Sequence, residues 1–235
     1  LVEPIYRDNR LADYFNRMVA EVVKRFAAVG GSKPIRVLEI GAGTGSTAQF
    51  VLPVLRDRDA SYVFTDLSFA FLNKARRRFA EYPFVRYEIY NVETAPANAE
   101  AFDVVVATNV IHATADLPKV LRNVRDLLAP GGIFVLNEIT SLQDYATLTF
   151  GLTEGWWLST DRYRIPDSPL VSGENWRTLL LDAGFCAVHA HGGEDQQVIV
   201  AAAADAEPAS SEAMRTPAPR TGMPTGVMAR EVAFN

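Results

Sequence analysis

The sequence holds one cysteine, Cys186, in 235 residues. A lone thiol closes no disulfide within the chain, so the fold must rest on its core, as fits a reducing cytoplasm. Basic residues are also scarce: 23 Lys and Arg stand against 28 Asp and Glu, a net charge of −5. They form no stripe, which argues against a nucleic-acid partner. No apolar run reaches the ~20 residues of a membrane span. No basic segment leads into an apolar one at the start, so no secretion signal is read there. The three His (112, 189 and 191) have no Cys beside them at ligand spacing, and no metal is expected. Internal repeats are absent. The first residue is Leu1 rather than Met, which fits a domain cut from a longer polypeptide.

What is present is enough for one core. Apolar residues at helical spacing fill 11–29, and Gly30, Gly31 and Pro34 end that pattern. Residues 1–34 are therefore an N-terminal helix and lid segment. From Ile35 strands and helices alternate: strands at 35–40, 62–65, 85–90, 102–107 and 133–136, helices at 46–55, 71–79 and 117–128. Such alternation predicts an α/β fold with a mostly parallel sheet, helices on both faces and right-handed crossovers. The alternation breaks after Glu138. Residues 139–175 are aromatic and aperiodic, and read as an insertion lying over a site. A short helix at 176–181 and a hairpin at 186–190 and 198–202 complete seven strands. His189 and His191 fall on that hairpin and read as structural. The core thus spans 35–204. From 205 to 235 Ala, Pro, Ser, Thr and Gly dominate, as in a linker or tail.

The sharpest local signal is Glu39-Ile40-Gly41-Ala42-Gly43-Thr44-Gly45, between a strand and a helix. Gly41, Gly43 and Gly45 let the backbone turn and let a ligand reach the main chain. A dinucleotide loop wants its third glycine at the sixth position, where Ser46 stands. The acid Glu39 would repel a pyrophosphate and tolerate a sulfonium, which favours S-adenosylmethionine over NAD. Asp66, ending the second strand, is placed to accept both ribose hydroxyls, with Leu67 beside it. The competing reading is a tight turn with no ligand. Asn109 follows the fourth strand and lines the same cleft.

Two further polar residues end adjacent strands: His112 after the fourth and Glu138 after the fifth. Functional groups gather at such carboxyl ends. The pair reads either as an imidazole base oriented by a carboxylate or as a loop His and a helix-capping Glu.

Longer motifs bear on that choice. Thr108-Asn109-Val110-Ile111-His112-Ala113-Thr114, Leu136-Asn137-Glu138, Phe150-Gly151-Leu152-Thr153-Glu154-Gly155-Trp156-Trp157, Arg164-Ile165-Pro166 and Ser168-Pro169-Leu170 resemble the C-methyltransferase domains of modular polyketide synthases, within the class I S-adenosylmethionine-dependent methyltransferases. The resemblance covers roughly residues 35–202. It implies a Rossmann-like seven-stranded fold. It implies methylation of the α-carbon of a β-ketoacyl thioester on an acyl carrier protein, beside neighbouring synthase domains. S-adenosylhomocysteine would be the coproduct, with no metal. It implies His112 as base with Glu138 behind it, Tyr6 as a further active-site residue, Glu39 near the methionine end of the cofactor, Asp66 at the ribose and Asn91 at the adenine. Phe150, Trp156 and Trp157 either cover the acyl chain or are plain core aromatics. Glu154 is read as an ion-pair partner in the lid. An O-methyltransferase and a non-catalytic scaffold are the competing functions.

Overall fold

The computed structural model describes residues 10–95, 101–152 and 154–204. Tyr6 and the 205–235 segment lie outside the described residues. The elements run α1 (Arg10–Val29), β1 (Ile35–Ile40), α2 (Ala48–Leu55), β2 (Ala60–Asp66), α3 (Phe69–Arg78), β3 (Val85–Ile89), β4 (Phe102–Thr108), a 3₁₀ turn (Ile111–Ala113), α4 (Leu117–Asp126), β5 (Leu128–Ile139), α5 (Asp144–Phe150), a 3₁₀ turn (Glu154–Trp157), α6 (Gly173–Asp182), β6 (Phe185–Gly192) and β7 (Gln196–Ala203).

The sheet has the order β3-β2-β1-β4-β5-β7-β6. Its first five strands are parallel, and β7 runs antiparallel between β5 and β6. The chain reverses direction across the sheet at β1, and the carboxyl ends of β1 and β4 open there side by side. That crevice is where α/β sheets bind ligands. The α/β expectation holds. Side chains alternate between two apolar layers, as the pleat requires. Val104, Val106, Ile133 and Val135 join α1, α2 and α3 on one face. Val105, Ala107, Phe134 and Leu136 join α4 and α6 on the other. Trp176 is fully buried in that second layer.

Several boundaries shift by a few residues from the sequence reading, and three differences go further. The fifth strand begins at Leu128, because Leu128 already pairs with Phe102 before the Pro130-Gly131-Gly132 irregularity. The N-terminal helix packs Phe15, Val19, Val22 and Val23 into the main core, so its described part is a core layer. The insertion contains α5, whose helical period the sequence hides: Leu148 is exposed while Ala146 is buried. No described helix is long and apolar enough to cross a membrane.

Candidate active site

The loop after β1 takes its shape from three positive-φ glycines, Gly41 (59°), Gly43 (54°) and Gly45 (78°). They do different things. A Cβ on Gly41 would fall 2.6 Å from the Val110 methyls, and one on Gly45 would fall 2.6 Å from the Phe79 ring. Both are bare so that neighbours can pack. A Cβ on Gly43 would have only the Gly41 carbonyl near it, at 3.9 Å, and would project into open space. Asp66 fastens the loop: Oδ2 accepts from Gly43 N–H at 2.9 Å and Oδ1 from Ser68 N–H at 2.7 Å. Leu67 beside it is 66% exposed.

Glu39 is buried beneath this loop, and its Oε2 accepts a 2.7 Å hydrogen bond from the Tyr62 hydroxyl. Burial pushes its carboxyl up to about 8, with Asp66 adding repulsion and the Tyr62 bond opposing. Burial likewise raises the Tyr62 hydroxyl well above its ordinary value. Glu39 is thus a weaker source of negative charge than its place before the glycine loop suggests. With no cation beside it, Glu39 holds its proton at neutral pH, so it repels no pyrophosphate until something positive ionises it.

At the next edge, β4 is followed by Asn109, which adopts φ 50°, a region that Asn tolerates better than most residues. Its N–H donates to Asn137 O at 2.8 Å, and its Oδ1 accepts from Ile139 N–H at 3.1 Å. Asn109 thus clamps the ends of β4 and β5 together. Asn91 follows β3, and its Oδ1 accepts from Glu93 N–H within its own turn.

The clamp brings His112 to Glu138. The His112 Nδ1 lies 2.5 Å from Glu138 Oε2. The other carboxylate oxygen accepts from Val110 N–H (3.1 Å) and Ile111 N–H (2.9 Å). Glu138 is fully buried and His112 nearly so. A carboxylate at Nδ1 makes that nitrogen the donor and leaves the Nε2 lone pair for chemistry. Trp156 meets the imidazole edge-on at 5.9 Å and stacks on Phe150 at 5.8 Å. Trp157 is not gathered with them: it is half exposed, and its indole N–H donates to Gly151 O. The Glu154 side chain lies outside the described residues. His189 and His191 sit exposed on the edge strand β6. Among the described residues no group of His, Cys, Asp and Glu gathers as a metal site.

Residues 38–134 match a family model described as a methyltransferase domain. Polyketide synthase ThaG of Burkholderia thailandensis is 44% identical over 231 residues, 92% of this chain and 4% of ThaG. The crystal structure of the CurJ carbon methyltransferase superposes with a TM-score of 0.81 at 39% identity, over 86% of this chain and 57% of that one. The chain belongs to the carbon-methyltransferase domains of polyketide synthases. These form a branch of the S-adenosylmethionine-dependent methyltransferases, and the trans-methyltransferase CalH, solved with SAH, matches at 30% identity and TM-score 0.72 over 87% of this chain and 62% of that one. The chain spans only a few per cent of ThaG and little more than half of the CurJ structure.

The cleft of this methyltransferase domain suits the cofactor. Gly43 leaves open space at the loop surface, Asp66 stands at its rim, and the exposed Leu67 offers apolar cover for a ring. Other features were out of reach of sequence reasoning. Tyr62 as the partner of Glu39 was silent, since a Tyr in a buried strand carries no pattern of its own. Gln196, which donates to Asn137 Oδ1 at 2.8 Å, was equally silent. Arg164 was visible only as part of a motif. In the structure it forms a buried pair with Asp161 directly behind the His112 turn.

Proposed function

We propose that this domain methylates the α-carbon of a β-ketoacyl thioester carried on an acyl carrier protein, with His112 as the base. One observation carries the reading: the buried His112–Glu138 pair faces the lid aromatics at the sheet edge beside the glycine loop. The likeness to CurJ, a carbon methyltransferase, supports the same choice.

The chemistry follows from the residues. An α-hydrogen between a ketone and a thioester is acidic enough for a neutral imidazole once the enolate is stabilised. Nε2 takes that proton, and Glu138 supports the imidazolium through Nδ1. The freed electron pair on carbon forms the new C–C bond. When bound, S-adenosylmethionine supplies a methyl on a cationic sulfur, which keeps the electron pair of the broken bond. Asp66 would hold the ribose, and Glu39 would lie under the positive end. Trp156 and Phe150 exclude water over the base.

Incubation of the domain with cofactor and either a β-keto or a β-hydroxy acyl carrier thioester, read by mass spectrometry, tests this. The β-keto substrate is expected to be methylated and the β-hydroxy substrate left unchanged. Methylation of the hydroxy substrate alone would make the domain an O-methyltransferase. Cofactor binding without turnover of either would leave a scaffold.

A further inference from the structure

The turn that carries His112 is a single 3₁₀ turn, Ile111–Ala113. So short an element leaves N–H groups at its start and carbonyls at its end without internal partners. The N–H side belongs to the dyad: Glu138 Oε1 takes Val110 and Ile111. The carbonyl side is held by a residue 52 positions away in sequence. Arg164 Nη1 donates to His112 O at 2.5 Å and to Pro169 O at 2.7 Å. Its Nη2 donates to Thr114 O at 2.7 Å and to Asp161 Oδ2 at 2.8 Å, and its Nε faces both Asp161 oxygens at 3.1 Å. All five N–H bonds of the guanidinium are thereby used.

We propose that Arg164 is the positioning residue of the base: anchored by Asp161, it grips the carbonyl side of the turn and so fixes the His112 imidazole against Glu138. The turn is clasped between an anion on its N–H side and a cation on its C=O side, the arrangement its dipole favours. The proposal rests on the reading of His112 as the base.

Three features make the clasp more than packing. The pair is buried, with both side chains 6% exposed. The cation is balanced: an unneutralised guanidinium this close would oppose a positive charge on the imidazole, and Asp161 cancels it. Asp161 is itself fixed by Leu117 N–H at 3.2 Å and Tyr163 N–H at 3.1 Å. Finally, the clasp lies on the return path of the lid. Thr160 bonds Ala115 O through both its N–H (2.8 Å) and its hydroxyl (2.9 Å). The segment that follows the aromatic cover and the turn that holds the base are thus one hydrogen-bonded unit. A lysine could replace the charge but not the fork, which needs several donors in one plane.

The test compares Arg164→Met and Arg164→Lys with the wild-type domain, each verified as folded by its melting curve. Turnover of a β-keto thioester and cofactor-free α-proton exchange into deuterated water are expected to fall together by about 10–100-fold in Arg164→Met, as for a misplaced catalytic group. KM and SAH affinity should hold. Arg164→Lys should fall between Arg164→Met and wild type. The third readout is the NMR signal of the His112 Nδ1 proton, which is expected in the wild type and lost or broadened in Arg164→Met. Three results overturn the proposal: exchange by folded Arg164→Met at the wild-type rate, an unchanged Nδ1 signal, or a loss of SAH affinity as large as the loss of turnover. If the wild type exchanges no α-proton from any β-keto thioester, the carbon-methylation reading fails instead, and the NMR comparison still decides whether Arg164 places the imidazole.

Discussion

Two glutamates end inner strands of the same sheet, and both are buried, but they are set up for opposite tasks. Glu138 on β5 receives two backbone N–H groups and faces an imidazole. Glu39 on β1 receives one hydroxyl, from Tyr62. A buried carboxyl group needs hydrogen-bond partners in place of the water it has lost. Glu138 has its donors built in, from the turn that it orients. Glu39 lacks them, and burial lifts its carboxyl to about 8. On the proposed reading the base edge is complete within the protein, whereas the cofactor edge would be completed by a ligand bearing positive charge. The two edges should therefore fail differently when damaged.

The largest effect is expected at the base edge. His112→Ala should lower methyl transfer by about 10²–10⁴-fold, the usual cost of removing a general base. It should leave SAH affinity, measured by calorimetric titration, unchanged. Glu138→Gln should approach the same loss, and the double variant should be little worse than either, since groups acting as a unit are not additive. Additive losses would show that the two residues work separately. A fall in SAH affinity would erase the contrast between the edges.

The glycines sharpen the same contrast within the loop. All three sit at positive φ, where any L side chain costs about 1–2 kcal/mol. Gly45→Ala adds a collision with Phe79, and overpacking of this kind costs about 1–3 kcal/mol more. Its main symptom should be a lower melting temperature. Gly43→Ala meets no such wall, so it should melt closer to wild type yet bind SAH poorly. Equal melting and binding losses in the two variants would refute this division of roles.

Glu39 separates the edges by pH. Its folded value is raised above that of an ordinary carboxylate, so the folded state holds a proton that the unfolded chain gives up. Stability from this group is full below the ordinary carboxylate range and falls as pH rises toward about 8. The total is on the order of a few kcal/mol. Glu39→Gln keeps an acceptor for Tyr62 and cannot ionise. Without cofactor, its melting temperature should exceed that of the wild type progressively from pH 5 to 8. Parallel melting curves across that window would mean that Glu39 is ionised throughout.

Much of this was legible in the sequence, and the limits have physical causes. Alternation and the handedness of crossovers restrict the topology without fixing the strand order, so the sequence places His112 and Glu138 at strand ends and brings them together only if the fourth and fifth strands are neighbours. What could not be read were pairings that leave no local trace. Arg164 reaches His112 and Thr114 across about fifty residues, and Tyr62 reaches Glu39 across a strand pair. The glycine loop shows the same limit at short range. Gly41, Gly43 and Gly45 look equivalent in sequence, and only Val110 and Phe79, brought in by the fold, reveal that two of them serve packing. The lid helix α5 escaped because its apolar residues point both ways.

The smallest effect is expected at Asp66. Its carboxylate already holds Gly43 and Ser68 N–H, so Asp66→Ala would loosen the loop as well as remove ribose contacts. Asp66→Asn is the cleaner probe. The amide keeps one oxygen for a backbone N–H and turns the other position into a donor, which neither the second N–H nor a ribose hydroxyl donating to it can use. Losing one charge-assisted hydrogen bond costs about 1.5–3 kcal/mol, and part of that is shared with the free protein, where the same backbone bond weakens. SAH affinity should therefore drop by about tenfold, with faster amide hydrogen exchange at Gly43. Turnover at saturating cofactor should stay near wild type, because Asp66 lies on the cofactor edge and touches no part of the His112–Glu138 pair. Should turnover at saturation fall as far as affinity, the two edges would be coupled through the loop, and the independence argued from their separate hydrogen-bond networks would be lost.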